Sequence, residues 1–310
     1  MQIILSQTWI SHFSFPEGVG SMGTNIRFTH NILIPLPVFQ CLVMSDLKPM
    51  MLIPVETPII KPGDDLIKIL STSIRKKRMR LEDGDILAIS SKVVALAQDR
   101  IVRYDTVKPS RRAKILGRKY SLEPGFVEII LREADEVYGG VYRAILTLKN
   151  KMLVPNAGAD LSNAPEGYAI LWPRNPREAA KKIKEDMEKE FQAKIGVIIV
   201  DSYCIPLRAG TIGIALAVAG FKPVIDERGR KDLFGKELKI TRRALADDLA
   251  SAAHALMGET DKRIPAVIIR GSEVEIEDGG DYDMFIPPDK CIFSSIYVNK
   301  VKRIKHDHES

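Results

Sequence analysis

Carboxylates, amides and hydroxyls gather where apolar runs end at three places along the chain. The first is Val154-Pro155-Asn156-Ala157-Gly158-Ala159-Asp160-Leu161-Ser162-Asn163. Its small residues let the backbone turn tightly and approach a ligand, while Asn156, Asp160, Ser162 and Asn163 supply oxygens and amides; a self-capping loop of Asx turns has the same composition. The second is Asp201-Ser202, after the apolar run Gly196 to Val200. A carboxylate beside a hydroxyl at the carboxyl end of a buried strand is a hard-oxygen pair suited to magnesium or manganese, or else a cap for the next turn. Arg208, in Pro206-Leu207-Arg208-Ala209-Gly210-Thr211, has a guanidinium that can clamp a phosphate or carboxylate bidentately, or form an ordinary surface ion pair. The third place is Met257-Gly258-Glu259-Thr260-Asp261-Lys262-Arg263-Ile264. There Glu259 could complete a metal site with Asp160 and Asp201, or belong to a plain polar turn. No GxxxxGK[ST] loop is present, so a nucleotide is expected to be held otherwise than by a P-loop.

The elements that must position these groups read as a mixed α/β protein. Pro62-Gly63-Asp64 leads into a helix bearing Leu66, Ile67 and Leu70, with Asp64 as its expected cap. Glu82 to Asp85 is a turn before a short strand, Ile86 to Ile89, which ends in Ser90-Ser91-Lys92. Helices are expected at Ser110 to Lys119 and Phe126 to Val137. Asn175-Pro176-Arg177-Glu178 has the form of an N-cap, a proline at the first helical position and a capping-box glutamate. Ala179, Ile183, Met187 and Phe191 then mark one face of that helix. Gly196 to Val200 is an expected buried strand stopping at Asp201. A late helix from about Thr241 carries Leu245, Leu249 and Leu256, with Gly258 as a left-handed cap, and Pro265 to Ile269 forms another buried strand. Alternating helices and strands give the fold class, α/β of the mixed α+β kind.

Composition narrows the function classes. Of 310 residues, 45% are hydrophobic and 28% charged, which excludes wholesale disorder, collagen and coiled coil. The net charge of +6 is mild and interspersed, so charge gives no argument for nucleic acid, and none is expected as a partner. Cys41, Cys204 and Cys291 are far apart with no CxxC pair, so a disulfide framework or zinc ribbon is not expected and a reducing cytoplasm is. Cys204 lacks a basic neighbour in sequence and is not proposed as a nucleophile. No apolar stretch approaches the ~18 residues of a membrane span. Residues 1–50 carry few charges and no basic n-region; they read as a poorly ordered extension or an upstream mis-start, with Met44, Met50 and Met51 as alternative starts. His254 reads as a core or half-buried histidine, Asp247-Asp248 as a helix flank, and the 296–310 tail, with His306 and His308, as a solvated basic end.

In this order, these segments resemble the coenzyme F420-0:gamma-glutamyl ligase family from about Leu52 to Ser294. The resemblance rests on Pro58 to Asp65, Ser90 to Val94, Asn156 to Asn163, Gly196 to Asp201, Arg228 to Leu238 and Met257-Gly258-Glu259. It implies a ligase domain over 51–295, a fold of mixed and antiparallel sheets with packed helices, and an intertwined homodimer. It also implies an amide ligase that joins L-glutamate to an acceptor carboxylate, F420-0 or a folate-like pterin, at the expense of GTP or ATP with two Mg²⁺ or Mn²⁺ ions. Carried over position by position, Asp160, Asp201, Ser202 and Glu259 match metal positions. Asn163, Thr57-Pro58-Ile59-Ile60, Ser91-Lys92 and Met257 to Ile264 match nucleotide contacts, and Arg208 is assigned as a charge clamp on the reacting groups. Two departures stand out: Leu96 occupies the place of a nucleotide-contacting lysine, and Cys204-Ile205 the place of Gly-Arg. The Asp-Ser…Pro-Leu-Arg-x-Gly-Thr form and the Asp-Leu-Phe-Gly run resemble a branch proposed to glutamylate folates. The alternative reading is a regulatory homologue that binds nucleotide and metal without ligating.

Overall fold

The computed structural model describes residues 25–27, 33–35, 49–278, 283–287 and 290–293. The chain divides into two units, Met1–Lys48 and Pro49–Ser310. In the first, β1 (Asn25–Arg27) pairs antiparallel with β2 (Leu33–Pro35). The expected poorly ordered extension otherwise lies, up to residue 48, outside the described residues, as does the 296–310 tail.

The second unit runs β3 (Met51–Val55), α1 (Leu66–Lys76), β4 (Ile86–Ser90), α2 (Ser91–Ala97), β5 (Ile101–Arg103), α3 (Arg111–Tyr120) and α4 (Pro124–Glu133). It continues through β6 (Glu136–Val141), β7 (Ala144–Lys149), β8 (Met152–Pro155), β9 (Tyr168–Ile170), α5 (Pro176–Phe191), β10 (Gly196–Cys204) and β11 (Thr211–Ala219). It closes with β12 (Ile225–Asp226), β13 (Arg242–Arg243), α6 (Leu245–Met257) and β14 (Ala266–Arg270).

Five strands form one sheet in the order β11-β10-β4-β14-β3, parallel only between β10 and β4. Both faces are buried, so its central strands are continuous apolar runs rather than alternating ones. Side chains of period two divide between two cores. Leu87, Ile89, Val197, Ile199, Ala266 and Ile268 face Leu70 and Ile74 of α1 and Ile183 and Met187 of α5. Ile86, Ala88, Ile198, Val200, Val267 and Ile269 face Ala246, Leu249, Ala250 and Ala253 of α6. Each large aliphatic buried this way contributes about 1.5–3 kcal/mol against exposure. A third core, centred on Phe126, Ile130 and Ile145, joins α3 and α4 to the small sheet β6-β7-β8.

Several local expectations are corrected. The α1 cap is Asp65, whose side chain accepts from the Lys68 N–H; Asp64 instead accepts from Lys61 N at 2.8 Å, tightening the turn before it. Helix α4 starts at Pro124, with Glu123 accepting from Gly125 and Phe126, and stops at Glu133 rather than Val137. The segment after it pairs with β7 instead, a long-range ladder overriding local pattern. Asn175 precedes Pro176 as expected, but it is left-handed (φ 42°) and its side chain makes no cap bond. A residue before proline is pushed out of the right-handed helical region, and asparagine tolerates this alternative. Strand β10 does not stop at Asp201 but continues to Cys204, sustained by antiparallel partners in β11. Helix α6 starts at Leu245, because Arg242-Arg243 is drawn into pairing with Ile225-Asp226. Gly258 ends α6 with φ 69° and ψ −176°, positive but extended rather than a left-handed cap.

Candidate functional site

The one parallel pairing of the large sheet builds the site. Val200 of β10 lies opposite Ser90 of β4, so the two strands deliver Asp201 and Ser91 at the same end of the sheet. Ser91 Oγ donates to Asp201 Oδ1 at 2.7 Å, and Trp172 Nε1 donates to Asp201 Oδ2 at 2.7 Å. Burial pushes the Asp201 carboxyl above the ordinary aspartate range; the Asp160 charge adds to this, against hydrogen bonds from Ser91, Trp172 and the Ser202 backbone. Among the described residues no salt bridge is formed by Asp201.

Asp160 arrives from the loop after β8. Its backbone bridges Ile170, with Asp160 N–H to Ile170 O at 2.9 Å and Ile170 N–H to Asp160 O at 2.8 Å. Its carboxylate accepts from Ser162 N (2.8 Å) and Ser162 Oγ (2.7 Å) and pairs with Lys92 Nζ at 2.7 Å. Burial opposes ionisation of Asp160, but Lys92 and the Ser162 donors outweigh it and hold the group below its ordinary value. Lys92 Nζ also donates to Ser162 Oγ and Ser162 O, at 2.8 and 3.1 Å. The Asx turn expected of this segment is present: the Asp160 carboxylate accepts from the Ser162 N–H, and both side chains bond to Lys92.

Glu259 follows Gly258 at the end of α6 and accepts from Thr211 Oγ1 at 2.8 Å; it contacts His254 Nε2 at 2.8 Å. Burial works against its charge, but Thr211, His254 and the more distant Lys92 bring its carboxyl below the usual glutamate range. Neighbouring loops are tied to the same edge. Thr57 N–H donates to Arg263 O at 3.0 Å, Ser90 N–H to Pro265 O at 2.8 Å, and Asn163 Nδ2 lies 3.5 Å from Thr260 O. A cleft of about 470 Å³ opens beside Thr57 and Pro58, lined also by Lys76, Lys77, Lys262 and Arg263.

The structure therefore brings together Asp160, Asp201, Ser202, Glu259, Ser91, Lys92, Asn163 and the segments 57–60 and 257–264. It does not bring Arg208 in: that side chain is exposed at the β10–β11 turn and makes no ion pair among the described residues. Leu96 is 8% exposed and packs in the core that also holds Trp172. Trp172 and Thr211 are site neighbours to which the residue pattern assigned no role, and His254, half-buried as expected, adds a contact to Glu259. Their polar partners are distant in the chain, so only the fold reveals Asp201 beside Trp172 and Glu259 beside Thr211.

The donor set is hard oxygen throughout, which suits Mg²⁺ or Mn²⁺. Among the described residues no three acidic or histidine side chains converge tightly enough to form a complete cage. Mg²⁺ characteristically uses one or two carboxylates together with substrate phosphates and water, and the Asp160–Asp201 pair fits that demand.

A model of the F420-0:gamma-glutamyl ligase family matches residues 54–271. The coenzyme F420:L-glutamate ligase of Methanopyrus kandleri is 40% identical over 219 residues, 70% of this chain and 85% of that protein. The protein of the same name from Methanocaldococcus jannaschii is 39% identical over 239 residues, 77% of this chain and 94% of that one. The one from Archaeoglobus fulgidus is 38% identical over 222 residues, covering 71% and 87%.

Proposed function

The chain belongs to the F420-0:gamma-glutamyl ligase family, and from that premise we propose that it adds L-glutamate to the carboxylate of F420-0 in an NTP- and divalent-metal-dependent reaction. The carrying observation is that Asp160 comes close enough to act on Asp201 at the end of the parallel β10–β4 pair, with Lys92 on the first and only neutral donors on the second.

In the reaction, a carboxylate oxygen of the acceptor bonds to the terminal phosphorus of GTP or ATP and the nucleoside diphosphate leaves. The glutamate nitrogen then attacks the acyl carbon of the resulting acyl phosphate, losing a proton as phosphate departs. Both steps bring anions together, so the site must supply positive charge. Two divalent ions, when bound, offset that repulsion. Asp160, Asp201, Ser202 and Glu259 would hold them. Lys92, anchored on Asp160 and Ser162, presents its ammonium beside the phosphates, while Ser91 and Trp172 fix the Asp201 carboxylate. Segments 57–60 and 257–264, joined by the Thr57–Arg263 bond, would take the nucleotide with Asn163. Arg208, which is not pre-positioned, would clamp the reacting groups only once substrate is bound.

A homodimer fits the apolar side chains left almost fully exposed, Leu207, Leu233, Phe234 and Ile240. The experiment is to supply F420-0, glutamate and GTP or ATP with and without Mg²⁺ or Mn²⁺, and to follow nucleoside diphosphate and glutamyl product together. Equimolar release only when metal is present supports the reading. Nucleotide binding without product would favour a regulatory homologue, and product only with a tetrahydrofolate would move the acceptor to the folate-like class.

A further inference from the structure

Trp172 joins Asp201 of β10 to the β8–β9 loop that carries Asp160. It is 2% exposed, and its indole N–H, the only hydrogen-bonding group of that side chain, is spent on Asp201 Oδ2 at 2.7 Å. The opposite loop rests on the same ring. Asn156, Ala157 and Gly158 are three successive left-handed residues (φ 53°, 53° and 72°), and a Cβ on Gly158 would lie 2.3–2.5 Å from Nε1, Cε2 and Cδ1 of the indole. Two residues beyond Gly158 comes Asp160, whose backbone is bonded to Ile170, two residues before Trp172. The ring is held in turn by Lys149, whose Nζ lies 5.4 Å from its centroid and bonds to Glu133 Oε2 (2.6 Å) and Ala157 O (3.1 Å).

We propose that Trp172 is a positioning residue that sets the placement of the Asp201 carboxylate relative to the Asp160 loop, and so the affinity of the site for its divalent ion. This rests on the metal reading above. A packing role alone would need the ring but not its N–H; the bond to Asp201 makes the N–H the part that matters. Partners that orient a ligand's carboxylate typically change metal affinity by about 10–100-fold when removed.

The test compares wild type, Trp172→Phe and Ile183→Val, the last trimming the same core on α5, a helix that carries none of the proposed metal-holding residues. Free Mn²⁺ is counted by electron paramagnetic resonance, and unfolding is followed in parallel. The expected result is a Kd for Mn²⁺ about tenfold weaker in Trp172→Phe, with kcat recovering at high Mn²⁺. Ile183→Val should lower Tm and leave Kd unchanged. In a Trp9→Phe background, where Trp172 is the single tryptophan, Mn²⁺ but not Mg²⁺ should quench emission along the same binding curve. Wild-type affinity in Trp172→Phe, or a Kd that merely follows Tm across both variants, overturns the proposal while the metal reading stands. Absence of Mn²⁺ binding by the wild type overturns both.

Discussion

Asp201 and Lys92 divide the electrostatic work of the site. Asp201 is held by neutral donors under burial, whereas Lys92 neutralises Asp160 and reaches towards Glu259. Removing either carboxylate takes away a group on which charge compensation depends, so Asp160→Ala and Asp201→Ala should each lower kcat/KM by about 100-fold or more. Tm should move far less than activity in the Asp160 variant, since that carboxylate is half exposed. Lys92→Ala should raise the nucleotide Kd about tenfold, read by calorimetry, with a stability change under about 1 kcal/mol, as for a partly exposed ion pair. Equal loss of stability and affinity would assign Lys92 to the fold instead. These acidic residues were legible in sequence because each closes an apolar run. Trp172 and Thr211 were not, because their relevance comes from partners 29 and 48 residues away in the chain.

At the scale of elements, the loop between β8 and β9 is held by β7. Thr147 Oγ1 accepts from Ala157 N at 2.9 Å and donates to Val154 O at 2.6 Å, while Asn156 Oδ1 accepts from Ile145 N at 2.9 Å. Gly158→Ala meets both a left-handed backbone and the indole, so it should cost about 3 kcal/mol in urea unfolding, with the m-value unchanged. Helix α6 carries a second test. Asp247, in its first turn, accepts from Ala215 N at 2.9 Å, yet burial, then the neighbouring Asp248, raise its carboxyl above the usual range. A raised folded-state value means that its contribution to stability is full below the unfolded value and is lost as pH rises through the folded one. Asp247→Asn should therefore raise Tm at pH 7, and the gain should vanish as pH falls below the ordinary aspartate value; a gain independent of pH would contradict this. Strands β4, β10 and β14 of the central sheet were legible as apolar runs. Strands β6 to β8 were not, since Gly139-Gly140 and half-exposed side chains give no period. Strand β11 was missed because Gly213, Ala215, Ala217 and Ala219 are small rather than β-branched, and its stability comes from pairing with β10.

At the scale of the whole molecule, the start of β11 meets the α6–β14 loop through Thr211 and Glu259, and the β8–β9 loop meets it through Asn163 and Thr260. Leu207 at the β10–β11 turn and Leu233-Phe234 in the 227–241 excursion are almost fully exposed. Replacing Leu233 and Phe234 by serine should leave Tm of a monomer unaffected and should lower the sedimentation coefficient if these residues bind a second copy; an unchanged coefficient would remove them from any interface. The mixed α/β class was visible from the alternation of helices and strands. The order β11-β10-β4-β14-β3 was not, because it depends on non-local pairing that no local pattern records. Nor could local pattern show that Leu96 is a core side chain. The central claim is tested most directly by mass spectrometry of one reaction containing F420-0, a tetrahydrofolate, glutamate, GTP, ATP and Mn²⁺, run with wild type and Asp201→Ala. The account predicts one or more glutamyl residues added to F420-0 by the wild type and essentially none by the variant; product confined to the folate, or absent altogether while nucleotide still binds, would contradict it.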